Sequence, residues 1–123
     1  MYYSSNAMST LGNAVTLLQD KRLRSDNGAY YAAMQGDGNF VLYTKSGKAL
    51  WASQTNGKGH GPYRLVMQDD GNLVLYDIYG TATWSSKTDK KGIKPHHLIM
   101  QDDGNLVIYD GDHNQMWTTG ADR

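Results

Sequence analysis

Apolar and polar residues alternate over short segments of this chain, a pattern typical of β-strands whose two faces meet different surroundings. In residues 72–76 the two leucines point to one face, and the asparagine, valine and tyrosine point to the other. Helical periodicity is weak throughout. The best helix candidate, Ala14–Leu23, fits a strand nearly as well. The pattern therefore predicts an all-β protein.

The alternating segments recur at a constant step along the sequence. Met67–Asp77 returns almost unchanged as Met100–Asp110, and a looser copy occupies Met34–Tyr43. The tryptophans Trp51, Trp84 and Trp117 keep the same step of 33 residues. A fixed period of this length indicates a repeat architecture.

Each repeat predicts three strands. The first strands are expected at Tyr31–Gln35, Tyr63–Gln68 and His97–Gln101, and the second at Asn39–Tyr43, Asn72–Tyr76 and Asn105–Tyr109. An Asp-Gly turn separates them, which is a strong hairpin signal, and a third strand carries the tryptophan. Because three strands cannot bury a core alone, we expect three such sheets to pack around one axis.

Composition restricts the function classes. The 123 residues suit one domain, with 12 basic and 12 acidic residues and no cysteine. No basic block suggests a nucleic-acid partner, and no apolar run is long enough for a membrane span. No signal peptide is visible, so we expect a cytoplasmic protein or one released without such a signal. Residues 1–7 are expected to be an expression remnant or a disordered N-terminus, with the domain at 8–123.

One polar pattern, Gln-x-Asp-x-Asn-x-Val-x-Tyr, is intact in all three repeats. Turn formation explains the aspartate and glycine, but not the glutamine and tyrosine at fixed offsets. Carboxylate, amide and phenol groups together match sugar hydroxyls, which both donate and accept hydrogen bonds. The candidate binding residues are Gln35, Asp37, Asn39, Val41, Tyr43, Gln68, Asp70, Asn72, Val74, Tyr76, Gln101, Asp103, Asn105, Val107 and Tyr109.

This motif resembles that of the bulb-type (monocot-type) mannose-binding lectins, over roughly Leu11 to Thr119. The resemblance implies a β-prism II fold, an all-β arrangement of three antiparallel sheets with pseudo-threefold symmetry. It also implies metal-independent mannose binding without a cofactor or catalysis. In that family aspartate and asparagine bind the mannose O2, glutamine binds O3, tyrosine binds O4, and valine packs on the ring. The three tryptophans resemble the family's central packing residues.

The resemblance also bears on assembly and partners. It implies mannose-containing glycans or glycoproteins as partners. Family members often form homodimers by exchanging the C-terminal strand, here Met116–Thr119. Many plant members have a cysteine where this chain has Gly38, so the cysteine-free sequence looks closer to fish, fungal or bacterial members. A lectin-like protein-binding or bacteriocin module on the same fold is the alternative function.

Two other groups of residues suggest chemistry less strongly. The pairs Asp69-Asp70 and Asp102-Asp103 resemble a glycosidase acid/base pair, but adjacent residues are poorly placed for that and repeat one has Gly36 instead. His96 and His97 would point to opposite faces of a strand, so they cannot readily share a metal ion. We expect all four histidines, with His60 and His113 in loops, to be solvated or partly packed.

Overall fold

The computed structural model describes residues 8–120 and is built from β-strands. Their bounds are β1 Thr10–Leu11, β2 Val15–Leu18, β3 Arg22–Arg24, β4 Tyr30–Met34, β5 Phe40–Thr44, β6 Ala49–Ala52, β7 Arg64–Met67, β8 Leu73–Tyr76, β9 Ala82–Ser85, β10 His97–Met100, β11 Leu106–Tyr109 and β12 Gln115–Thr118. Over this described range, no helix is long and apolar enough to cross a membrane. The expectation for residues 1–7 lies outside the described residues.

The strands form three antiparallel sheets of four strands each. We call them the first sheet (β3-β4-β5-β6), the second sheet (β2-β7-β8-β9) and the third sheet (β1-β10-β11-β12). The predicted all-β architecture of three antiparallel sheets is confirmed, and each repeat supplies the last three strands of one sheet. The predicted bounds of the first and second strands differ from the observed ones by at most one residue, chiefly because polar residues next to the turns lie outside the strands.

Every sheet has a fourth strand that the repeat pattern did not predict. Residues 10–24, here called the N-terminal belt, contribute β1, β2 and β3 to the three sheets in turn. Its inward leucines Leu11, Leu17 and Leu23 are buried, with 1%, 8% and 1% of their surface exposed. The helix candidate Ala14–Leu23 therefore forms strands, and positive φ angles at Ala14 and Asp20 turn the chain between them.

The core lies between the three sheets, and the tryptophans meet near its axis. The ring centroids of Trp51, Trp84 and Trp117 are 5.5–5.7 Å apart, and their planes cross at 72–74°. This edge-to-face geometry is favourable for aromatic rings. Each tryptophan is partly buried and packs against the central apolar cluster, so the expected packing role is confirmed.

A β-bulge occurs at the same place in each repeat. The register with the tryptophan strand shifts between Leu42 and Tyr43, and at the matching points in the other two sheets. A bulge bends its strand and can redirect a side chain. Here the bulge lies directly before the tyrosine of the repeated motif.

The C-terminal strand pairs within its own chain. β12 lies beside β11, with Ile108 opposite Trp117 and Val107 opposite Thr118. The third sheet is thus complete in a single chain, with β12 at one edge and β1 at the other.

Candidate functional site

Each sheet presents its motif residues on the outer face of its two central strands. We call these positions site 1 (Gln35 to Tyr43), site 2 (Gln68 to Tyr76) and site 3 (Gln101 to Tyr109). In each site the glutamine follows the first strand of the hairpin and the aspartate lies in the turn. The asparagine directly precedes the second strand, and the valine and tyrosine lie on it. The sites are shallow and open to solvent, because the aspartates are exposed and the glutamines and tyrosines are half-buried.

The turn that carries each aspartate requires a glycine. Gly38, Gly71 and Gly104 have φ of 91°, 91° and 90°, a conformation that only glycine adopts without strain. The aspartate Oδ1 accepts the backbone N–H two residues later, at 2.9 Å in sites 1 and 2 and 3.0 Å in site 3. The same side chain thus closes the turn and faces the site.

In sites 1 and 2 the polar side chains form one continuous hydrogen-bonded chain. The Tyr43 hydroxyl donates to Gln35 Oε1, and Gln35 Nε2 donates to both carboxylate oxygens of Asp37 at 3.2 Å. Site 2 repeats these contacts, with Gln68 Nε2 at 3.2 and 3.3 Å from the Asp70 oxygens. These contacts hold the polar groups in place before any ligand arrives.

The asparagines of sites 1 and 2 are fixed by residues outside the motif. Asn39 Oδ1 accepts hydrogen bonds from Ser53 Oγ at 3.1 Å and from the Thr55 N–H at 3.2 Å. Ser86 and Thr88 hold Asn72 in the same way, at 3.3 and 3.2 Å. With Oδ1 occupied, the Nδ2 group is the donor that can face a ligand. The sequence analysis missed these serines and threonines, although they keep the same step of 33 residues.

Site 3 differs in its hydrogen bonds. Gln101 Nε2 donates to the Tyr109 hydroxyl at 2.6 Å, so the tyrosine accepts where its counterparts donate. Thr119 replaces the serine and donates to Asn105 Oδ1 at 3.2 Å. His113 stacks on the Tyr109 ring at 4.1 Å and 5° between planes. The φ of His113 is 63°, at the position where the first two repeats have Gly47 and Gly80.

The valines and tyrosines complete the sites. Val41, Val74 and Val107 are only 2–3% exposed, so they form the floor and offer a ligand a small apolar area. Burial is the main cause that raises the pKa of Tyr43, helped by the nearby Tyr31 and Asp37, while the Gln35 hydrogen bond opposes the rise. The phenol therefore stays protonated at neutral pH.

The paired aspartates are not arranged as an acid/base pair. Asp69 Oδ1 accepts from Asn13 Nδ2 at 2.8 Å, and its Oδ2 forms an ion pair with Lys94 at 3.2 Å. The Asn13 bond is the main cause that lowers the pKa of Asp69, with Lys94 second. Asp102 Oδ1 accepts the Asn27 N–H at 2.9 Å. Asp69 thus binds a turn of the N-terminal belt, and Asp102 binds the turn between β3 and β4.

The four histidines have different surroundings, and the expectation of solvated or partly packed rings is wrong for His96. His96 is buried, and its Nε2 lies 2.7 Å from the Lys91 carbonyl oxygen. His97 lies on the outer face near Tyr109, and burial is the main cause that lowers its pKa. His60 contacts the ring of Tyr79. Within residues 8–120 no group of three or more His, Cys, Asp or Glu side chains is arranged to hold a metal ion.

Comparison with known proteins gives matches among solved structures. No family model and no curated protein sequence matches the chain. A monomeric monocot mannose-binding lectin from Gastrodia elata is 39% identical, with a TM-score of 0.84 over 94% of this chain and 99% of its own. A lectin from Marasmius oreades is 33% identical, with a TM-score of 0.84 over 97% and 96%.

The snowdrop (Galanthus nivalis) mannose-specific agglutinin, solved with methyl-α-D-mannoside, is 35% identical. Its TM-score is 0.75, over 92% of this chain and 96% of its own. These similarities extend over nearly the whole sequence and include all three sheets.

Proposed function

Because the chain belongs to the bulb-type (monocot-type) mannose-binding lectin family, with its β-prism II fold, we propose that it binds mannose and mannose-rich glycans without a metal ion and without catalysis. Up to three shallow sites, one on each sheet, carry this binding. The observation that carries the proposal is the hydrogen-bonded chain of tyrosine, glutamine and aspartate in sites 1 and 2, with its variant in site 3.

Each motif residue has a separate role toward the sugar. In site 2, Asp70 and the Nδ2 group of Asn72 hold the axial O2 of mannose, and Gln68 holds O3. Tyr76 holds O4, and Val74 contacts the ring. An ionised carboxylate makes the strongest of these hydrogen bonds, so the aspartate is the anchor. Because the side chains are already fixed by one another, little conformational entropy is lost when the sugar binds.

Binding without hydrolysis agrees with the arrangement of the carboxylates. Glycoside hydrolysis uses two carboxyl groups on either side of the scissile bond. In site 2 only Asp70 faces the sugar, since Asp69 is held by Asn13 and Lys94. The related proteins named above are lectins, a class of proteins that bind sugars without altering them.

The shallow sites predict weak single contacts and strong multivalent ones. A monosaccharide that buries few atoms should bind with a dissociation constant on the order of millimolar. Three sites on three faces can raise avidity on clustered glycans by about 10²–10⁴-fold where the geometry permits. Cross-linking of mannose-rich glycoproteins is therefore the expected activity.

Site-resolved NMR titration with methyl α-mannoside tests the proposal. Gly38, Gly71 and Gly104 each lie in the turn of one site, so their amide resonances report the three sites separately. We expect all three to shift with methyl α-mannoside and none with methyl α-galactoside, whose O2 is equatorial and whose O4 is axial. An absence of shifts with the mannoside would contradict the proposal and favour the protein-binding alternative.

An aspartate variant assigns the anchor. Asp70→Asn removes the charged acceptor and should weaken site 2 by roughly tenfold or more, while the responses of Gly38 and Gly104 remain. Asp89→Asn is the matched control, since Asp89 is an exposed aspartate outside the motif. Equal weakening by both variants would show that net charge, and not the Asp70 contact, governs binding.

We also propose a homodimer formed by exchange of the C-terminal strand. This proposal is supported by the position of β12, which is an edge strand paired with one neighbour, β11. Sedimentation velocity over a range of concentrations tests it. A dimer that persists on dilution supports strand exchange, and a monomer at all concentrations contradicts it.

A further inference from the structure

A cationic cavity lies next to site 1. Its volume is about 200 Å³, and it is lined by Arg22, Arg24, Gly28, Tyr30, Tyr31 and Lys45. Arg22 and Arg24 are exposed and flank the buried Leu23 on β3, so both arginines project from the outer face, which also carries site 1. We propose that this cavity binds an anionic group, a phosphate, sulfate or carboxylate, on a glycan whose mannose occupies site 1.

Two stacked tyrosines lie between the cavity and the sugar site. Tyr31 lies opposite Tyr43 in the β4–β5 ladder, and their ring centroids are 5.1 Å apart. The Arg22 guanidinium carbon lies 4.7 Å from the centre of the Tyr31 ring. The site 1 tyrosine, Tyr31 and Arg22 thus form one row across the outer face of the first sheet.

The three cations of the cavity form no ion pair within residues 8–120. Among residues 8–120 the ion pair found is Lys94–Asp69, on another part of the surface. The nearest acidic residues along the chain are Asp20, in a cavity that also includes Arg22, and Asp26, which lines a separate cavity with Asp102 and Asp103. Three cations close together repel one another, and a bound anion would offset that repulsion. Arginine guanidinium groups suit this task, because they bind phosphate and carboxylate oxygens in pairs.

The feature is specific to the first sheet. From the strand registers, Thr16 and Leu18 of the second sheet take the places of Arg22 and Arg24. The position of Lys45 is occupied by Ile78 in the second repeat and by Gly111 in the third. Beside site 2, Leu18 and Ile78 are 57% and 45% exposed, and Arg64 takes the place of Tyr31, with its guanidinium carbon 4.8 Å from the centre of the Tyr76 ring. The same place beside site 2 therefore combines one cation with apolar side chains, whereas three cations line the cavity beside site 1. The three sites therefore share one motif but differ in their surroundings.

The position of the cavity indicates where the anion is attached to the sugar. This step rests on the proposed function, in which Asp37 and Asn39 hold O2 and Tyr43 holds O4. The next substituent around the ring, beyond O4, is the C6 hydroxymethyl group. Lys45 lies two residues beyond Tyr43, about 7 Å along the strand. An anionic group at O6 therefore falls within reach of the cavity.

NMR titrations with mannose 6-phosphate and with methyl α-mannoside test the inference. The amide resonances of Gly38, Gly71 and Gly104 again report the three sites. We expect mannose 6-phosphate to bind site 1 about tenfold more tightly than methyl α-mannoside at 50 mM salt. Site 2, which has Arg64 in this place, should show a smaller preference, and site 3 should show none. The preference should decrease at about 300 mM salt, because partly exposed charges are screened. Inorganic phosphate should compete with mannose 6-phosphate for the cavity.

Two charge-neutralising variants distinguish binding of the anion in the cavity from a general effect of net charge. Arg24→Gln should remove the site 1 preference for mannose 6-phosphate and leave the affinity for methyl α-mannoside unchanged. Lys48→Gln is the matched control, because Lys48 is exposed in the same region but does not line the cavity. An equal preference at Gly38 and Gly71, or a preference that survives Arg24→Gln, would overturn the inference. A loss of the methyl α-mannoside response at all three glycines would instead contradict the proposed function.

Discussion

At the scale of single residues, each site consists of motif side chains and of supporting side chains that hold them. The Ser86 hydroxyl donates to Asn72 Oδ1 at 3.3 Å and accepts the Leu73 N–H at 3.0 Å. It thus connects the asparagine to the first residue of β8. Such supporting residues do not need to touch the sugar, but they fix which atom of the asparagine faces it.

Ser86→Ala should therefore weaken both the fold and site 2. The Leu73 N–H loses its acceptor, which should lower the free energy of unfolding by about 1 kcal/mol or somewhat more. The mannoside response of Gly71 should weaken, while that of Gly38 remains. Urea unfolding and the NMR titration measure the two effects. Ser86→Thr is the control, since Thr119 makes the same contacts in site 3, and a loss of binding in that variant would contradict this role.

Two buried aspartates couple the fold to pH. Asp77 and Asp110 are 3% exposed, and backbone N–H groups, those of Thr81 and Asn114 above all, hold their pKa values below the ordinary range. In the unfolded chain the pKa returns to about 3.9. The stabilisation is therefore complete above that pH and is lost as the pH falls through the lower pKa of the folded state.

Thermal unfolding between about pH 5 and pH 2 tests this coupling. The double variant Asp77→Asn, Asp110→Asn should be less stable than the native chain at neutral pH, because an amide nitrogen meets the N–H groups of His60 and Ile93. Its melting temperature should also fall less steeply in acid. Asp89→Asn should keep the native pH profile, and an unchanged profile in the double variant would contradict the assignment.

At the scale of the elements, the repeat could be predicted from sequence and the belt could not. Leu73 and Leu75 alternate with the motif residues of the opposite face beside an Asp-Gly turn, and these local signals identify a hairpin. β1 has two residues and β3 has three, too few for any periodicity to appear. Their pairing depends on distant strands, so local sequence carries little information about it. The bulge before Tyr43 was missed for the same reason.

The belt should contribute to global stability, and Leu23→Ala tests this. Leu23 is 1% exposed, so its truncation should lower the free energy of unfolding by about 2–4 kcal/mol. Leu18→Ala in the same belt is the control, because Leu18 is 57% exposed and should change stability little. Urea unfolding followed by circular dichroism measures both. Similar losses in the two variants would contradict the assigned inward and outward faces.

At the scale of the whole molecule, the fold separates the core from the binding surface. Trp51 lies directly opposite Leu42, which is fully buried, so the tryptophans share the inner face of each sheet. The motif residues occupy the outer face. The resemblance of the tryptophans to the family's central packing residues predicted this division, but the direct contact among the three rings required the relative placement of the sheets.

Mannose binding should therefore leave the tryptophan emission spectrum unchanged. A sheet lies between each site and the ring cluster, so the sugar does not alter the surroundings of the indoles. Fluorescence emission at saturating methyl α-mannoside, with methyl α-galactoside as the control, measures this. A shift or quenching specific to the mannoside would contradict the separation and would favour sugar stacking on a tryptophan.

The N-terminal belt has a consequence for how the protein is made on the ribosome. Thr10 is synthesised early, but its partner Ile99 belongs to the last repeat. The first sheet, which includes β3, can form once β6 has emerged from the ribosome. The second sheet can then pair with β2. The third sheet can form with β1 only after β12 has been synthesised. The strands of the belt therefore find their partners in the order β3, β2, β1, which is opposite to the order of synthesis. A nascent chain that stalls before the third repeat would leave β1 without its partner strand.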